Sequence, residues 1–171
     1  MNVIDKFQFH LDHWSDIQSH LPFLFEQAKG KVLEFGVRDG VSTAALLAGV
    51  ETKGGHLISV DINQACQTHF LGHPAWRFMQ GDSIDSRLAL ELAPFLDGGI
   101  DVLFLDTLHT YDHVLAELIL WGTYVRAGGV ILIHDAITFE GVKQAILEYA
   151  TIKRLPFSIR DGSNGLGVIY V

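Results

Sequence analysis

The sequence predicts an α/β fold, a doubly wound Rossmann-like sheet that is mostly parallel and has an antiparallel C-terminal strand. Two observations predict it. Five strand-like apolar runs alternate with helix-like stretches, and strands connected through helices pair in parallel. After the fifth run, two further strands are joined by a turn too short for a parallel connection. We therefore expect a single domain over residues 1–171.

The five predicted parallel strands are short apolar runs, most of which end in polar residues. They span residues 32–37, 56–61, 76–80, 102–106 and 130–134. The stretches between them carry apolar residues at helical spacing and should cover both faces of the sheet. These helices are predicted at residues 41–50, 64–71, 84–96 and 111–126. Glycine pairs that begin at Gly54, Gly98 and Gly128 are expected to end three of them as C-caps.

The two ends of the chain add further elements. A helix is predicted at residues 139–151, followed by strands at 156–160 and 166–171 that a DGSNG turn joins as an antiparallel pair. Near the N-terminus, residues 14–29 predict one extra helix that packs on a sheet edge or over the pocket.

Composition narrows the class of partner. The net charge of −8 counts against sequence-independent binding to a nucleic-acid backbone, which needs a surplus of Lys and Arg. No apolar run is long enough to span a membrane. Cys66 is the one cysteine and has no partner for an intramolecular disulfide, and the N-terminal residues lack the apolar core of a signal peptide. We expect a cytoplasmic protein.

The first predicted strand runs into a glycine turn, in the segment VLEFGVRDGVST. Gly36 and Gly40 would let the backbone adopt positive φ and approach a ligand closely. A bulky residue at Gly36 is therefore predicted to abolish ligand binding while leaving the fold intact. Arg38 occupies the second glycine position of a dinucleotide-binding fingerprint, which disfavours a nicotinamide-dependent reductase. No Gly-Lys-Ser/Thr follows, so a P-loop is also excluded.

Acidic residues follow the next two predicted strands. Asp61 ends the second strand and suits the two hydroxyls of a ribose, although it could also be a solvated turn residue. Asp82 and Ser83 follow the third strand and could contact the amino group or a ring nitrogen of adenine. The order of these features along the chain indicates an adenosine-containing ligand more strongly than any one of them.

With the later segments DTLHTY and GGVILIHD, the chain resembles the class I S-adenosylmethionine-dependent methyltransferases from about Val32 onward. It is most similar to their compact branch, which includes catechol-type, macrolide and sugar O-methyltransferases and cephalosporin hydroxylase-like proteins. The resemblance implies sheet order 3-2-1-4-5-7-6 and S-adenosylmethionine as cofactor. The residues it assigns to that cofactor are Glu34, Gly36, Gly40 and Ser42 for the methionine part, Asp61 for the ribose, and Asp82 with Ser83 for the adenine.

Two of these assignments have plainer alternatives. The resemblance implies that the cofactor's positive sulfonium lies against Glu34 and the carbonyls of the glycine turn. Glu34 could instead be a strand-end acid satisfied by its neighbours, and Ser42 a helix N-cap. Arg38 and Asp39 are predicted to form a surface ion pair rather than a site.

The fourth and fifth strands deliver Asp106, His109, His134 and Asp135 to the same edge of the sheet, where ligands of such folds bind. A hydroxyl needs a base or a metal before it becomes a good nucleophile. The resemblance implies that Asp106 and Asp135 bind Mg2+ or another divalent cation and that His109 is the base. His109 could alternatively cap the following helix. His134 departs from the family pattern, and is either a ligand that favours manganese, iron or zinc or a buried hydrogen-bonding residue.

The function implied is transfer of a methyl group from S-adenosylmethionine to a hydroxyl of a small-molecule acceptor. A homo-oligomer is expected, because a compact chain offers few residues of its own to cover the acceptor. Two alternatives stay open: a component like the cephalosporin hydroxylases, and a module that binds the cofactor without catalysis. The other histidines, His113 included, show no metal-ligand spacing, and most of them are predicted to lie on the surface.

Overall fold

A computed structural model describes all 171 residues of the protein. Seven strands form one sheet: β1 (Gly30–Phe35), β2 (Gly55–Asp61), β3 (Trp76–Gln80), β4 (Ile100–Leu105), β5 (Val125–His134), β6 (Phe157–Arg160) and β7 (Leu166–Tyr170). Their order is β3-β2-β1-β4-β5-β7-β6. The first five strands pair in parallel, whereas β7 pairs antiparallel with both β5 and β6. The predicted Rossmann-like fold class and strand order are therefore confirmed.

Seven α-helices surround the sheet: α1 (Val3–Asp12), α2 (Leu21–Gln27), α3 (Val41–Lys53), α4 (Arg87–Glu91), α5 (Ala93–Leu96), α6 (Tyr111–Trp121) and α7 (Glu140–Lys153). Side chains on a strand point alternately to the two faces. In β4, Val102 and Phe104 pack with α1, α2 and α3, while Leu103 and Leu105 pack with α4 to α7. The central strands are buried on both faces, as expected for a doubly wound sheet. None of the helices is long and apolar enough to cross a membrane.

The N-terminus differs from the single helix predicted at residues 14–29. It forms two helices, α1 and α2, joined by a segment that includes a short 3-10 turn at Gln18–His20. The side chain of Asn2 accepts a hydrogen bond from the Asp5 amide and caps α1. Val3, Phe7 and Leu11 recur at helical spacing and pack against the core. That spacing indicates the helix, although charged residues between these positions obscure it.

Three other predicted helices are shorter than expected. Residues 64–71 contain only a 3-10 segment, Gln64–Thr68, and residues 84–96 form α4 and α5, the second of which has Pro94 in its first turn. Helix α6 ends at Trp121 rather than near residue 126, because Val125 and Arg126 already belong to β5. Gly128 consequently lies within a strand, and its prediction as a helix C-cap is wrong, whereas Gly54 does cap α3.

Candidate active site

A cavity of about 610 Å³ opens at the carboxyl ends of β1 to β4, where ligands of open parallel sheets bind. Its volume is in the range of small-molecule and cofactor sites. Residues from the ends of all four strands and from α6 line it: Gly36, Arg38, Val60, Asp61, Ile62, Gly81, Asp82, Ser83, Ile84, Asp106, Thr107, Leu108 and His113. The predicted adenosine contacts Asp61, Asp82 and Ser83 are thus brought together on one wall.

Asp61 holds the glycine turn in place. Its Oδ2 accepts hydrogen bonds from the amides of Val37 (2.7 Å) and Arg38 (3.1 Å), and its Oδ1 accepts one from Asn63 (2.8 Å). Asp61 is therefore more than a solvated turn residue. Each carboxylate oxygen can accept more than one hydrogen bond, so Asp61 also retains acceptor capacity toward the cavity that it lines.

The glycines of the turn are required by the protein itself. Gly36 has φ +90°, and a Cβ placed there would lie 1.9 Å from the backbone oxygen of Asp106 on the neighbouring strand. Gly40 has φ +76° and forms the N-cap of α3 beside the ring of His69. The prediction that a bulky residue at Gly36 leaves the fold intact is therefore wrong, because it would first displace the connection that follows β4.

Glu34 lies beneath the turn and is fully buried. Its carboxylate accepts hydrogen bonds from the hydroxyls of Ser42 (2.7 Å), Thr43 (2.8 Å) and Ser59 (2.5 Å), which tie β1 to α3 and β2. Burial raises the pKa of Glu34 to about 7, against the lowering effect of these hydrogen bonds. Glu34 does not line the cavity, so the geometry favours the reading of a satisfied strand-end acid over a sulfonium contact.

Ser42 is not the helix N-cap, since Gly40 occupies that position. Its side chain is largely buried and donates to Glu34, although the residue also lines a smaller recess beside the main cavity. The pair therefore ties the start of α3 to β1, and of the two residues only Ser42 also reaches a recess.

The four predicted rim residues converge. The Nε2 atom of His109 lies 2.8 Å from Asp135 Oδ2 and 3.4 Å from Asp106 Oδ1. The Nδ1 atom of His134 lies 3.4 Å from an oxygen of each aspartate. Helix α6 begins at Tyr111 with Thr110 as its N-cap, so His109 is part of this cluster and is not a helix cap. Two imidazoles and two carboxylates thus share one small volume.

The pairing of imidazoles with carboxylates shifts the pKa values of all four residues of the cluster. Hydrogen bonds to Asp106 and Asp135 raise the pKa of His109 to about 9. Burial lowers the pKa of His134, but hydrogen bonds to the same aspartates outweigh it and raise that pKa to about 10. Burial favours protonation of both aspartates, yet the hydrogen bonds from His109 and His134 leave their pKa values below the ordinary range. Without a bound cation, the protonated imidazoles of His109 and His134 balance the negative charge of the two carboxylates.

One ligand atom each from Asp106, His134 and Asp135 lies within 4.8 Å of the others, a spacing that suits a metal ion. Two further observations fit a cation. Asp135 Oδ1 is buried and has no hydrogen-bond partner. Asp135 also has φ +64°, a strained conformation for an aspartate that marks functional sites. An oxygen-rich set with one nitrogen accepts manganese, iron or zinc as well as magnesium.

His134 is oriented by backbone carbonyls behind it. Its Nε2 lies 2.9 Å from the Ser163 oxygen and 3.2 Å from the Asp16 oxygen. A carbonyl only accepts, so Nε2 carries a proton and Nδ1 faces the two aspartates. Of the two alternatives predicted for His134, the structure shows the buried hydrogen-bonding residue, and a role as metal ligand stays a prediction.

The N-terminal segment closes over the glycine turn through Arg38. The Arg38 guanidinium contacts both carboxylate oxygens of Asp16, at 3.1 and 3.3 Å. The predicted surface pair of Arg38 with Asp39 is also present, at 3.4 Å. Arg38 and Asp16 both line the smaller recess of about 210 Å³, which shares Gly36, Asp106 and Thr107 with the main cavity.

His113 was not among the predicted site residues, yet it lies in the main cavity. Its side chain is mostly buried in the wall of the main cavity, 3.0 Å from Ser83 Oγ and 3.3 Å from Glu117 Oε1. Glu117 is fully buried and also accepts a hydrogen bond from the hydroxyl of Thr107 (2.7 Å). The signal in the sequence is a His and a Glu four residues apart on a helix whose neighbours Val114, Leu118 and Trp121 are apolar.

Comparison with known proteins identifies structures that share the fold of this chain. No curated protein matches the sequence. The solved structure of SAH-bound PaMTH1, a methyltransferase from Podospora anserina, is 13% identical with a TM-score of 0.65, over 98% of this chain and 86% of that one. The O-methyltransferase NovP is 15% identical with a TM-score of 0.68, over 90% of this chain and 79% of that one. These similarities establish a shared fold.

The MycE methyltransferase of the mycinamycin biosynthetic pathway, solved with Mg and SAH, is 16% identical with a TM-score of 0.68. The match covers 99% of this chain but 54% of that one, so this chain spans about half the length of MycE. Residues 33–136, more than half of the chain, match the family model described as a methyltransferase domain. On that match and on the shared fold, the protein belongs to the methyltransferase domain family.

Proposed function

We propose that this protein transfers a methyl group from S-adenosylmethionine to a hydroxyl oxygen of a small molecule. One observation carries the proposal. The main cavity, with polar groups suited to an adenosine, shares Gly36, Asp106 and Thr107 with the recess that contains His109. A donor in the cavity and an acceptor in the recess would therefore meet beside the His109 imidazole.

S-adenosylmethionine supplies an activated methyl group, and the residues of the chain bind and align the reactants. Asp61 would accept hydrogen bonds from the ribose, and Asp82 with Ser83 would contact the adenine. Gly36 and Gly40 keep the turn in the shape that Asp61 anchors. Much of the rate of such a displacement comes from holding the two reacting atoms in line.

His109 would accept the proton of the acceptor hydroxyl at Nδ1, because Nε2 carries the proton that faces the carboxylates of Asp135 and Asp106. Asp106, His134 and Asp135 would hold a divalent cation, which when bound lowers the pKa of a coordinated hydroxyl. Neutralising the carboxylates would also remove the main reason for the raised pKa of His109. The cation and the base would then act on the same proton.

Removal of the Asp61 carboxylate is expected to weaken binding of S-adenosylhomocysteine by about 1 to 3 kcal/mol. The reason is the loss of both a ribose acceptor and the anchor of the Val37 and Arg38 amides. Calorimetry on Asp61→Ala measures the affinity, and Asp39→Ala is the matched control because that carboxylate is exposed at the same turn. Unchanged affinity in Asp61→Ala would reduce Asp61 to a structural residue of the turn.

The variant Asp106→Asn is expected to weaken binding of Mn2+ by tenfold or more, since it removes a charged ligand from a set of three. Calorimetric titration of the protein with Mn2+, Mg2+ and Zn2+ measures this without any acceptor. Asp39→Asn removes an exposed carboxylate outside the cluster and should bind like the wild type. Equal affinities in the two variants would rule out the cation site at Asp106.

The proposed reaction is tested by incubating the protein with methyl-labelled S-adenosylmethionine and a panel of hydroxylated small molecules, with and without a chelator. Label recovered as a methyl ether supports it. Tight binding of the cofactor with no transfer to any phenol, sugar or polyketide in the panel would favour the binding module. The acceptor, a homo-oligomeric state and the cytoplasmic location stay predictions.

A further inference from the structure

The pair formed by His113 and Glu117 is not used by the reaction described above, although it lies against the cavity. His113 belongs to the first turn of α6 and lines the cavity beside Ser83, the residue proposed to contact adenine. Ser83 is itself fixed, because its backbone oxygen accepts a hydrogen bond from the indole of Trp121 (2.6 Å). The imidazole of His113 therefore has a defined position in the part of the cavity that is expected to receive the adenine ring.

The two ring nitrogens of His113 are in different surroundings. Nε2 lies between Ser83 Oγ (3.0 Å) and Glu117 Oε1 (3.3 Å). The Ser83 hydroxyl can donate or accept, whereas the Glu117 carboxylate can only accept, so the contact with Glu117 favours the tautomer with its proton on Nε2. Nδ1 has no partner within the protein and is not among the buried unpaired atoms, so it faces open space. His113 lines the cavity, so a ligand bound there could reach Nδ1.

The buried position of Glu117 next to His113 is energetically unfavourable. Glu117 is fully buried, and its Oε2 has no hydrogen-bond partner, an arrangement that lowers stability. Its other oxygen is shared between the Thr107 hydroxyl and the imidazole. Glu117 is thus placed to fix the tautomer of His113, as carboxylates do for imidazoles at binding sites. With Nε2 protonated in the neutral ring, Nδ1 is an acceptor.

We infer that Nδ1 of His113 accepts a hydrogen bond from the exocyclic amine of the cofactor's adenine, which makes His113 a specificity-determining residue and Glu117 its positioning residue. This inference rests on the proposed binding of S-adenosylmethionine. Hypoxanthine carries a carbonyl oxygen where adenine carries that amine. Facing Nδ1, the carbonyl would set two acceptors against each other, so the site should reject the deaminated cofactor.

The test compares binding of S-adenosylhomocysteine and S-inosylhomocysteine by calorimetry. Two variants separate the ring nitrogens: the amide of His113→Asn lies near the position of Nδ1, and the amide of His113→Gln lies near that of Nε2. We expect the preference of the wild type for the adenine ligand to fall about tenfold in His113→Gln and to stay within about threefold in His113→Asn. The preference is a ratio measured within one variant, so a partly unfolded sample does not change it.

A purely structural role predicts the opposite, because His113→Gln would preserve the contact with Glu117 and bind both ligands like the wild type. Equal losses for the two ligands in His113→Gln, or a wild type without preference, would overturn the inference alone. Absence of binding by the wild type to either ligand would overturn the proposed cofactor together with it. Glu117→Gln, which keeps an acceptor for the Thr107 hydroxyl, should lower the preference less than His113→Gln.

Discussion

Replacing His109 with alanine is expected to lower the rate of methyl transfer by about a hundredfold or more, the typical cost of losing a general base. The physical reason is that His109 lines the recess proposed for the acceptor, while its contact with Asp135 at 2.8 Å holds the ring in place. The measurement is kcat for His109→Ala with the acceptor found by the label-transfer screen. Binding of S-adenosylhomocysteine should change little, because His109 does not line the main cavity.

The dependence on pH gives an independent readout of the same residue. Only the neutral imidazole accepts a proton, and Asp106 and Asp135 raise the pKa of His109 to about 9. In the presence of a chelator, the rate of the wild type should therefore rise from pH 7 to about pH 9 and then level off. Added Mn2+ should move this rise to lower pH, since a cation would neutralise the two carboxylates.

The matched control is His56→Ala. This variant removes an exposed imidazole near the start of β2, at the amino ends of the parallel strands and so away from the site. It should keep the rate and the pH profile of the wild type. A His109→Ala protein that retains both would remove the assignment of His109 as the base.

The variant Gly36→Ala is expected to lower the free energy of unfolding by about 3 kcal/mol or more, combining the cost of a left-handed conformation with that of overpacking. The added Cβ would lie 1.9 Å from the Asp106 oxygen. Thermal and denaturant unfolding measure the loss. Cofactor affinity should fall as well, because the displaced backbone belongs to the cavity wall.

Gly72→Ala separates the two contributions to that loss. Gly72 has φ +82°, close to the value at Gly36, but a Cβ there would have no atom within 4 Å. It should cost only about 1 to 2 kcal/mol, the price of the conformation itself. Equal losses at the two glycines would mean that the backbone of Asp106 moves aside freely.

Much of the fold was predictable because the central strands are buried on both faces. Runs such as residues 102–105 are continuous in apolar residues, and the helices between them set parallel pairing. The boundaries that failed depend on tertiary context. Val125 and Arg126 continue the helical pattern of α6 in sequence, yet both belong to β5, and Val125 pairs with Ile100 of β4. Local periodicity does not reveal which of two neighbouring elements receives such residues.

The rim of the site was predictable for a related reason: residues that end neighbouring parallel strands must lie close together, as Asp106 and Asp135 do. Glu34 was assigned to the ligand because it also lies at a strand end. The period of two places it on the same face as Val32, toward α3, and this alternation could have shown that it points into the core. The contact between His113 and Ser83 could not be predicted from the sequence, because the two residues lie thirty positions apart in the chain.

The two backbone carbonyls that contact His134 have a consequence for the order in which the site forms during synthesis on the ribosome. One comes from Asp16 and the other from Ser163, near opposite ends of the chain. Synthesis proceeds from the N-terminus, so β1 to β5 emerge before the turn that supplies Ser163. Until that turn arrives, nothing from the C-terminal side restrains the His134 ring. One of the two carbonyl contacts that orient Nε2 therefore forms late in synthesis, after Asp106, His134 and Asp135 have all been made.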